Sequence, residues 1–235
     1  MKISIVSAFF QRQDLWNRTL ETIHKSSIKD YEIILIDDAS EIPLVCDEAK
    51  IIRIEPKDKW YHNPCIPFNM GFKEATGDII IIQNPECMHM GDVLKYASEN
   101  VHNGLYISFG CYAINQDETR SLAKLKPITI GNYMFSTKHR NGWYNHPIHR
   151  PVGYHFCSAI TREDLDKVGG FDERYANGVA FDDDAFIREV KRKGISVQIT
   201  TNPYVIHQFH THFSYDDPNV WKPLHAINQS LYGST

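Results

Sequence analysis

The chain has 235 residues, 42% of them hydrophobic and 23% charged, enough apolar material for a sizeable core in one large domain or two closely joined halves. A formal net charge of −4, with the 12 histidines counted as neutral, argues against bulk electrostatic attraction to nucleic acid. The five scattered cysteines, Cys46, Cys65, Cys87, Cys111 and Cys157, form no C-x-x-C pair, which speaks against a zinc knot or disulfide framework and for reduced, mostly buried thiols.

Residues 1–7 enter a strand pattern directly, too soon interrupted for a signal peptide. No run approaches the roughly 18 apolar residues that span a bilayer. The expectation is a soluble, cytoplasmic chain, peripheral to a membrane at most. Ile3 to Phe10 reads as the first strand, and Leu15, Trp16, Leu20 and Ile23 recur near helical spacing. Tyr31-Glu32-Ile33-Ile34-Leu35-Ile36 is a second strand, ending in Asp37-Asp38-Ala39-Ser40, and residues 49–54 are a third, weaker one. Phe68 to Ala75 reads as a short helix that stops near Gly77. Four isoleucines, Ile79 to Ile82, follow between Gly77 and Pro85; an uninterrupted β-branched run of this kind suits a strand buried on both faces. It breaks into Gln83-Asn84-Pro85-Glu86. Strand–helix alternation predicts a mainly parallel sheet covered by helices. The polar ends of strands two and four then share the carboxyl edge of the sheet, where open α/β sheets bind ligands.

The second half is less regular. Leu105 to Ile114 is a strand, and residues 116–126 are charged and exposed. Residues 132–150 carry several aromatics and three histidines with little periodicity, including Gly142-Trp143-Tyr144-Asn145-His146-Pro147; loops of that length and composition are more often functional than filler. A short helix over 162–168 leads to the turn Gly169-Gly170-Phe171-Asp172-Glu173. Asp182 starts a helix that runs to about Lys193 and stops at Gly194, and a last strand over 196–200 leads to Tyr204-Val205-Ile206-His207. Three consecutive aspartates, Asp182, Asp183 and Asp184, exceed what capping a helix requires. Like charges so close raise one pKa toward that of a base. Together with Glu86 they point to chemistry on an anionic substrate held by a metal.

Residues 3–10, 32–40, 77–86, 169–173 and 181–188 resemble, in the same order, the motifs of family 2-like glycosyltransferases of the GT-A fold. The pattern reads D-D-x-S, a D-x-D-type strand end, G-F-D-E, and E-D-x-D ahead of an arginine. The likeness spans nearly the whole chain. Two positions depart from it: Asn84-Pro85-Glu86 keeps one carboxylate of the D-x-D pair, and Phe181 replaces the glutamate before Asp182. The resemblance implies an α/β GT-A domain over 1–235, with a Rossmann-like nucleotide-sugar half (1–99) and an acceptor-binding and catalytic half (100–235). It also implies transfer of a sugar from a nucleotide donor, most often UDP-linked, to a hydroxyl of a glycan, glycolipid or protein, with inversion and with Mn²⁺ or Mg²⁺ as cofactor.

Glu86 is the expected metal ligand, because a divalent ion held by oxygen neutralises a departing diphosphate. By resemblance His207 is a further ligand, with His210 and His212 in reserve; the three histidines equally suit zinc. The donor-side candidates are Ser7, Asp37, Asp38, Asn69 and Asn84, although Asp-Asp-Ala-Ser also suits an ordinary capped turn. Asp182 matches the general base, since an acceptor hydroxyl attacks well only as a carboxylate takes its proton; Asp183 assists. Trp143, Tyr144, His146, His155 and Asp184 are the acceptor-side candidates, aromatic rings being suited to the apolar faces of sugars. Asp184 and Arg188 are spaced for an i,i+4 salt bridge. The competing readings are an inactive nucleotide-sugar-binding module, suggested by the degenerate Asn84-Pro85-Glu86, and a sugar nucleotidyltransferase. The latter lacks support because Ala8-Phe9-Phe10-Gln11-Arg12 contains no glycine. A histidine-based metal hydrolase has no matching upstream motif.

Overall fold

A computed structural model describes residues 1–122, 124, 142–211 and 217–234. Four parallel strands form one end of its sheet: β3 (Ala49–Ile54), β2 (Tyr31–Asp38), β1 (Ile3–Phe9) and β4 (Ile79–Gln83), in that order. The sheet continues from β4 through β8 (Cys157–Thr161), β6 (Leu105–Ala113) and β9 (Ser196–His207) to β5 (Cys87–Met90) at the far edge. β7 (Trp143–Asn145) pairs antiparallel with β6. The Rossmann-like block expected for the first half is thus β3-β2-β1-β4. In the second half β6 and β9 are parallel, while β8 and β5 run antiparallel to their neighbours.

The isoleucine run shows how the layers form. Ile79 and Ile81 join Trp16 and Ile23 of α1 (Gln13–Ile23) and Val93, Leu94 and Ala97 of α3 (Val93–Asn100). Ile80 and Ile82 join Phe68 and Phe72 of α2 (Cys65–Glu74), Leu165 of α5 (Arg162–Val168), and Phe186 and Val190 of α6 (Asp182–Arg192). Period-two alternation therefore sends successive isoleucines into two separate cores, and all four are fully buried. α4 (Gln116–Leu122) follows β6, and α7 (Pro218–Gly233) lies against the 3-10 turn Glu173–Asn177.

α2 begins three residues earlier than its sequence pattern suggests, with Pro67 in its first turn, where a missing N–H costs nothing. Gly71 lets α2 press onto β1: a Cβ there would stand 2.4 Å from Val6 Cγ1. Gly169 ends α5 in the left-handed conformation, φ +88°. Ser196 to His207 is one continuous strand rather than two pieces. β5, α3, β8 and α7 are elements that the periodicity of the sequence does not reveal.

The link from β4 to β5 forces the sheet to curl. Only Asn84, Pro85 and Glu86 separate them, so the chain reaches at most about 14 Å. In a flat sheet the four intervals from β4 to β5 would span roughly 19 Å. The curl returns β5 to the neighbourhood of β4 and carries Glu86 to the end of β9. Among the described residues no helix is long and apolar enough to cross a membrane.

Candidate active site

A cleft of about 1340 Å³ opens at the carboxyl edge of the parallel strands. Its walls are the end of β1 and the segment after it (8–15), Asp38, residues 41–43 and Val45 after β2, Lys59, residues 209–211 after β9, and Val220 and Leu224 of α7. That volume exceeds the roughly 300–1,000 Å³ usual for one small-molecule site.

Glu86 stands where β9 ends. Its Oε1 lies 3.2 Å from His207 Nε2 and 3.5 Å from His210 Nε2, while Oε2 accepts from the Arg12 guanidinium at 3.0 Å. The position is fixed by main-chain pairing, because Cys87 is in register with His207 across β5 and β9. Gln208, fully buried, adds a second clamp: its main-chain and side-chain N–H groups both donate to the Glu86 carbonyl at 3.1 Å. Burial favours the protonated acid, but Arg12, His207 and His210 outweigh it and hold the Glu86 carboxyl well below its usual range. One ligand atom from each of Glu86, His207 and His210 fits within 4.8 Å of the others. A carboxylate with two imidazoles suits Mn²⁺ or Zn²⁺ better than Mg²⁺, so the donor set fits a transition metal. His212 lies outside the described residues.

A second polar centre forms at the start of α6. Asp182 is 6% exposed, and its Oδ1 accepts from Asn63 Nδ2 at 2.8 Å. Burial, then the charge of Asp183, push its pKa up to about 6, against the smaller opposing pull of His155 and Asn63. Asp183 Oδ1 lies 2.5 Å from Nδ1 of His155, which is itself buried and not displayed in the cleft. Asp184 accepts from Tyr154 Oη at 2.6 Å. Arg188 turns toward α7, where it donates to the Tyr232 carbonyl at 3.2 Å and stacks over that ring.

The donor-side candidates divide. Asp38 lines the cleft, with Lys59 Nζ at 2.7 Å from one oxygen and Tyr61 Oη donating to the other at 2.6 Å. Asp37 is fully buried and braces the loop that follows it: its oxygens accept from the Ser40 and Leu44 amides and from Arg53. Asn69 is committed internally, bonding both the N–H and the carbonyl of Phe171 and the Glu173 carboxylate. Ser7 alternates into the fully buried, α1-side face of β1. Asn84 is half-buried just after β4, its main-chain N–H donating to the Phe156 carbonyl at 3.0 Å.

On the acceptor side, Trp143 is buried against Tyr112 and Tyr204. Tyr144 stands edge-on to His207, with ring centroids 5.1 Å apart. His146 is half-buried, stacked on His149, with Nδ1 accepting from the Ile148 and His149 amides. The structure brings Glu86, His207 and Tyr144 together, and Asp182, Asp183 and His155 together. Sequence reasoning missed Arg12, Lys59, Asn63 and Gln208. Arg12 was visible directly after β1, but nothing local says that its charge meets Glu86.

The family model described as Glycosyl transferase family 2 matches residues 4–169. No curated protein sequence matches the chain. Among solved structures, the chain is similar to S. aureus TarS 1–349 in complex with UDP-GlcNAc: TM-score 0.64, 11% identity, covering 90% of this chain and 60% of that one. It is also similar to the mannosyltransferase PcManGT from Pyrobaculum calidifontis in complex with GDP-Man and Mn²⁺: TM-score 0.58, 13% identity, 98% and 69% coverage. A third is the catalytic domain of Drosophila β1,4-galactosyltransferase 7 with xylobiose: TM-score 0.55, 15% identity, 92% and 73% coverage. At identities this low, the structural likeness establishes a shared GT-A fold alone. The chain spans about 60% of the TarS chain.

Proposed function

The chain belongs to glycosyl transferase family 2, and from that premise we propose that it moves a sugar from a nucleotide donor, UDP-linked, to an acceptor hydroxyl with inversion. Residues 1–99 hold the donor, and residues 100–235 supply the acceptor site and the base. Asp182 takes the proton of the acceptor hydroxyl as its oxygen bonds to the anomeric carbon. The bond from that carbon to the diphosphate oxygen breaks, and the electron pair leaves with the nucleotide. A carboxyl held at about 6 suits this role, being mostly ionised at neutral pH yet basic enough to accept the proton. Asp38 would read the nucleoside, a role supported by its cleft position and by the Lys59 and Tyr61 contacts that orient it.

Glu86, His207 and His210 would hold the divalent cation, Mn²⁺ in preference to Mg²⁺. Bound there, it would neutralise charge on the departing diphosphate. Arg12 keeps Glu86 ionised and turned toward the histidines. Tyr144, His146 and Asp184 are the residues proposed to meet the acceptor, a glycan, glycolipid or protein hydroxyl. The cytoplasm is the proposed location.

One observation carries the reading: the aspartate run that contains the buried, raised-pKa Asp182 is linked to the Glu-His-His cluster by three consecutive residues, Tyr154 on Asp184, His155 on Asp183 and Phe156 on His207. Calorimetry with UDP, GDP and TDP, each with Mn²⁺ and with chelator, tests it. Metal-dependent binding of one nucleotide is expected, weakened by Glu86→Ala and by His207→Ala. Equal binding with and without metal in the wild type would remove the metal from the proposal. Nucleotide binding without transfer to any acceptor would favour an inactive binding module.

A further inference from the structure

Three consecutive side chains span the site. Tyr154 Oη donates to Asp184, His155 Nδ1 meets Asp183 at 2.5 Å, and Phe156 stands edge-on to His207 at 6.0 Å between ring centroids. His155 is the central member. Its ring is walled edge-on by Phe68 at 5.0 Å and by Phe171 at 4.7 Å. An imidazole enclosed by aromatic rings would ordinarily stay neutral, and a carboxylate at hydrogen-bond distance reverses that preference. The Asp183 oxygen that meets the ring also lies 3.4 Å from the His155 main-chain nitrogen, so the pair is anchored from ring and backbone together. Asp183 remains partly exposed, at 28%, whereas Asp182 is enclosed and held by Asn63.

We infer that His155 is a positioning residue: paired with Asp183 through ring and main chain, it holds that neighbour engaged, so that the acidic cluster presents a single carboxylate, Asp182, to the acceptor. The inference rests on Asp182 acting as the base. The groups that face His155 are Asp182 and Asp183 of α6 and Glu86 at the end of β4. Cys65 of α2 faces Asp182, and Tyr106 of β6 and Tyr154 face Asp183. Burial pulls the imidazole pKa down, and Asp183, with help from Asp182 and Glu86, raises it above its ordinary value. In the other direction His155 lowers the proton affinity of Asp182. Without the imidazolium, two adjacent carboxylates stand uncompensated and Asp182 binds its proton more tightly.

Two measurements on the full chain test this. The first is an NMR titration of histidine-labelled protein, wild type and Asp183→Asn. The second is kcat/KM against pH for wild type and His155→Gln, read as UDP or GDP release from UDP-glucose, UDP-N-acetylglucosamine and GDP-mannose with water as acceptor. His155 is expected to titrate above 6.5 in the wild type and to fall in Asp183→Asn. His155→Gln is expected to lose about fivefold more activity at pH 6 than at pH 8, from a shift of about one unit in the acidic limb that starts near 6. A residue that merely supports packing would lower activity equally at both pH values, and that result overturns the inference while leaving the glycosyltransferase reading intact. A His155 titration unmoved by Asp183→Asn also overturns it, and this arm decides the matter if His155→Gln fails to fold. If the pair titrates as described but the wild type releases nucleotide from none of the donors, the glycosyltransferase reading falls and takes the positioning role with it.

Discussion

Asp182 carries a cost at neutral pH that the fold accepts. Its pKa rises from 3.8 toward about 6 on folding, so the native state binds this proton more tightly than the unfolded chain does. Stability contributed at acid pH is therefore lost as pH climbs from about 4 through about 6, an effect of about 3 kcal/mol for a shift of this size. Asp182→Asn removes the penalty while leaving an oxygen to accept from Asn63. The variant is expected to be more stable than wild type at pH 7 by up to that amount, and no more stable at pH 4. The same variant should lose transfer by about 10²–10⁴-fold, the usual contribution of a general base, while still binding donor. Urea unfolding at the two pH values, beside a transfer assay, checks both; unchanged transfer would remove Asp182 from the mechanism.

Among the elements, the G-F-D-E turn shows what a motif can and cannot reveal. Its glycines are required by the backbone: Gly169 and Gly170 have φ of +88° and +77°, and a Cβ on Gly170 would stand 2.5 Å from Asn69 Oδ1. Asn69 is therefore the hook that fastens this turn to α2. Asn69→Ala strips three hydrogen bonds and leaves the buried Phe171 N–H unsatisfied. The expected loss is about 3 kcal/mol in denaturant unfolding, with nucleotide affinity of the folded protein unchanged; weakened affinity at full stability would return Asn69 to the donor side. Elements with strong local signals were legible from sequence: β1, β2, β4, α6 and the carboxyl-edge location of Asp38 and Glu86. β8 and β5 were not, because Cys157–Thr161 and Cys87–Met90 are short and mixed in character and become strands through partners far along the chain. α7 was hidden by Pro218 and Pro223, both of which the helix tolerates. The division of Asp37 from Asp38 was equally invisible, since it depends on Arg53 reaching one and Lys59 the other.

For the whole molecule, β9 is the strand that completes the sheet, pairing with β6 on one side and with β5 on the other. Among the described strands β5 has no other partner. A chain ending before Ser196 is expected to leave Cys-Met-His-Met as an open strand edge and to aggregate; a soluble, monomeric truncation on size exclusion would contradict this. Contacts as remote as Cys87 with His207 also make assembly slow to nucleate, because the closure entropy is lost before any pairing repays it. During synthesis, the N-terminal portion emerges with Glu86 but without the histidines that stand beside it in the folded chain. The Glu-His-His cluster assembles only after β9 and His210 have left the ribosome, so for most of its synthesis the chain carries Glu86 without its imidazole neighbours.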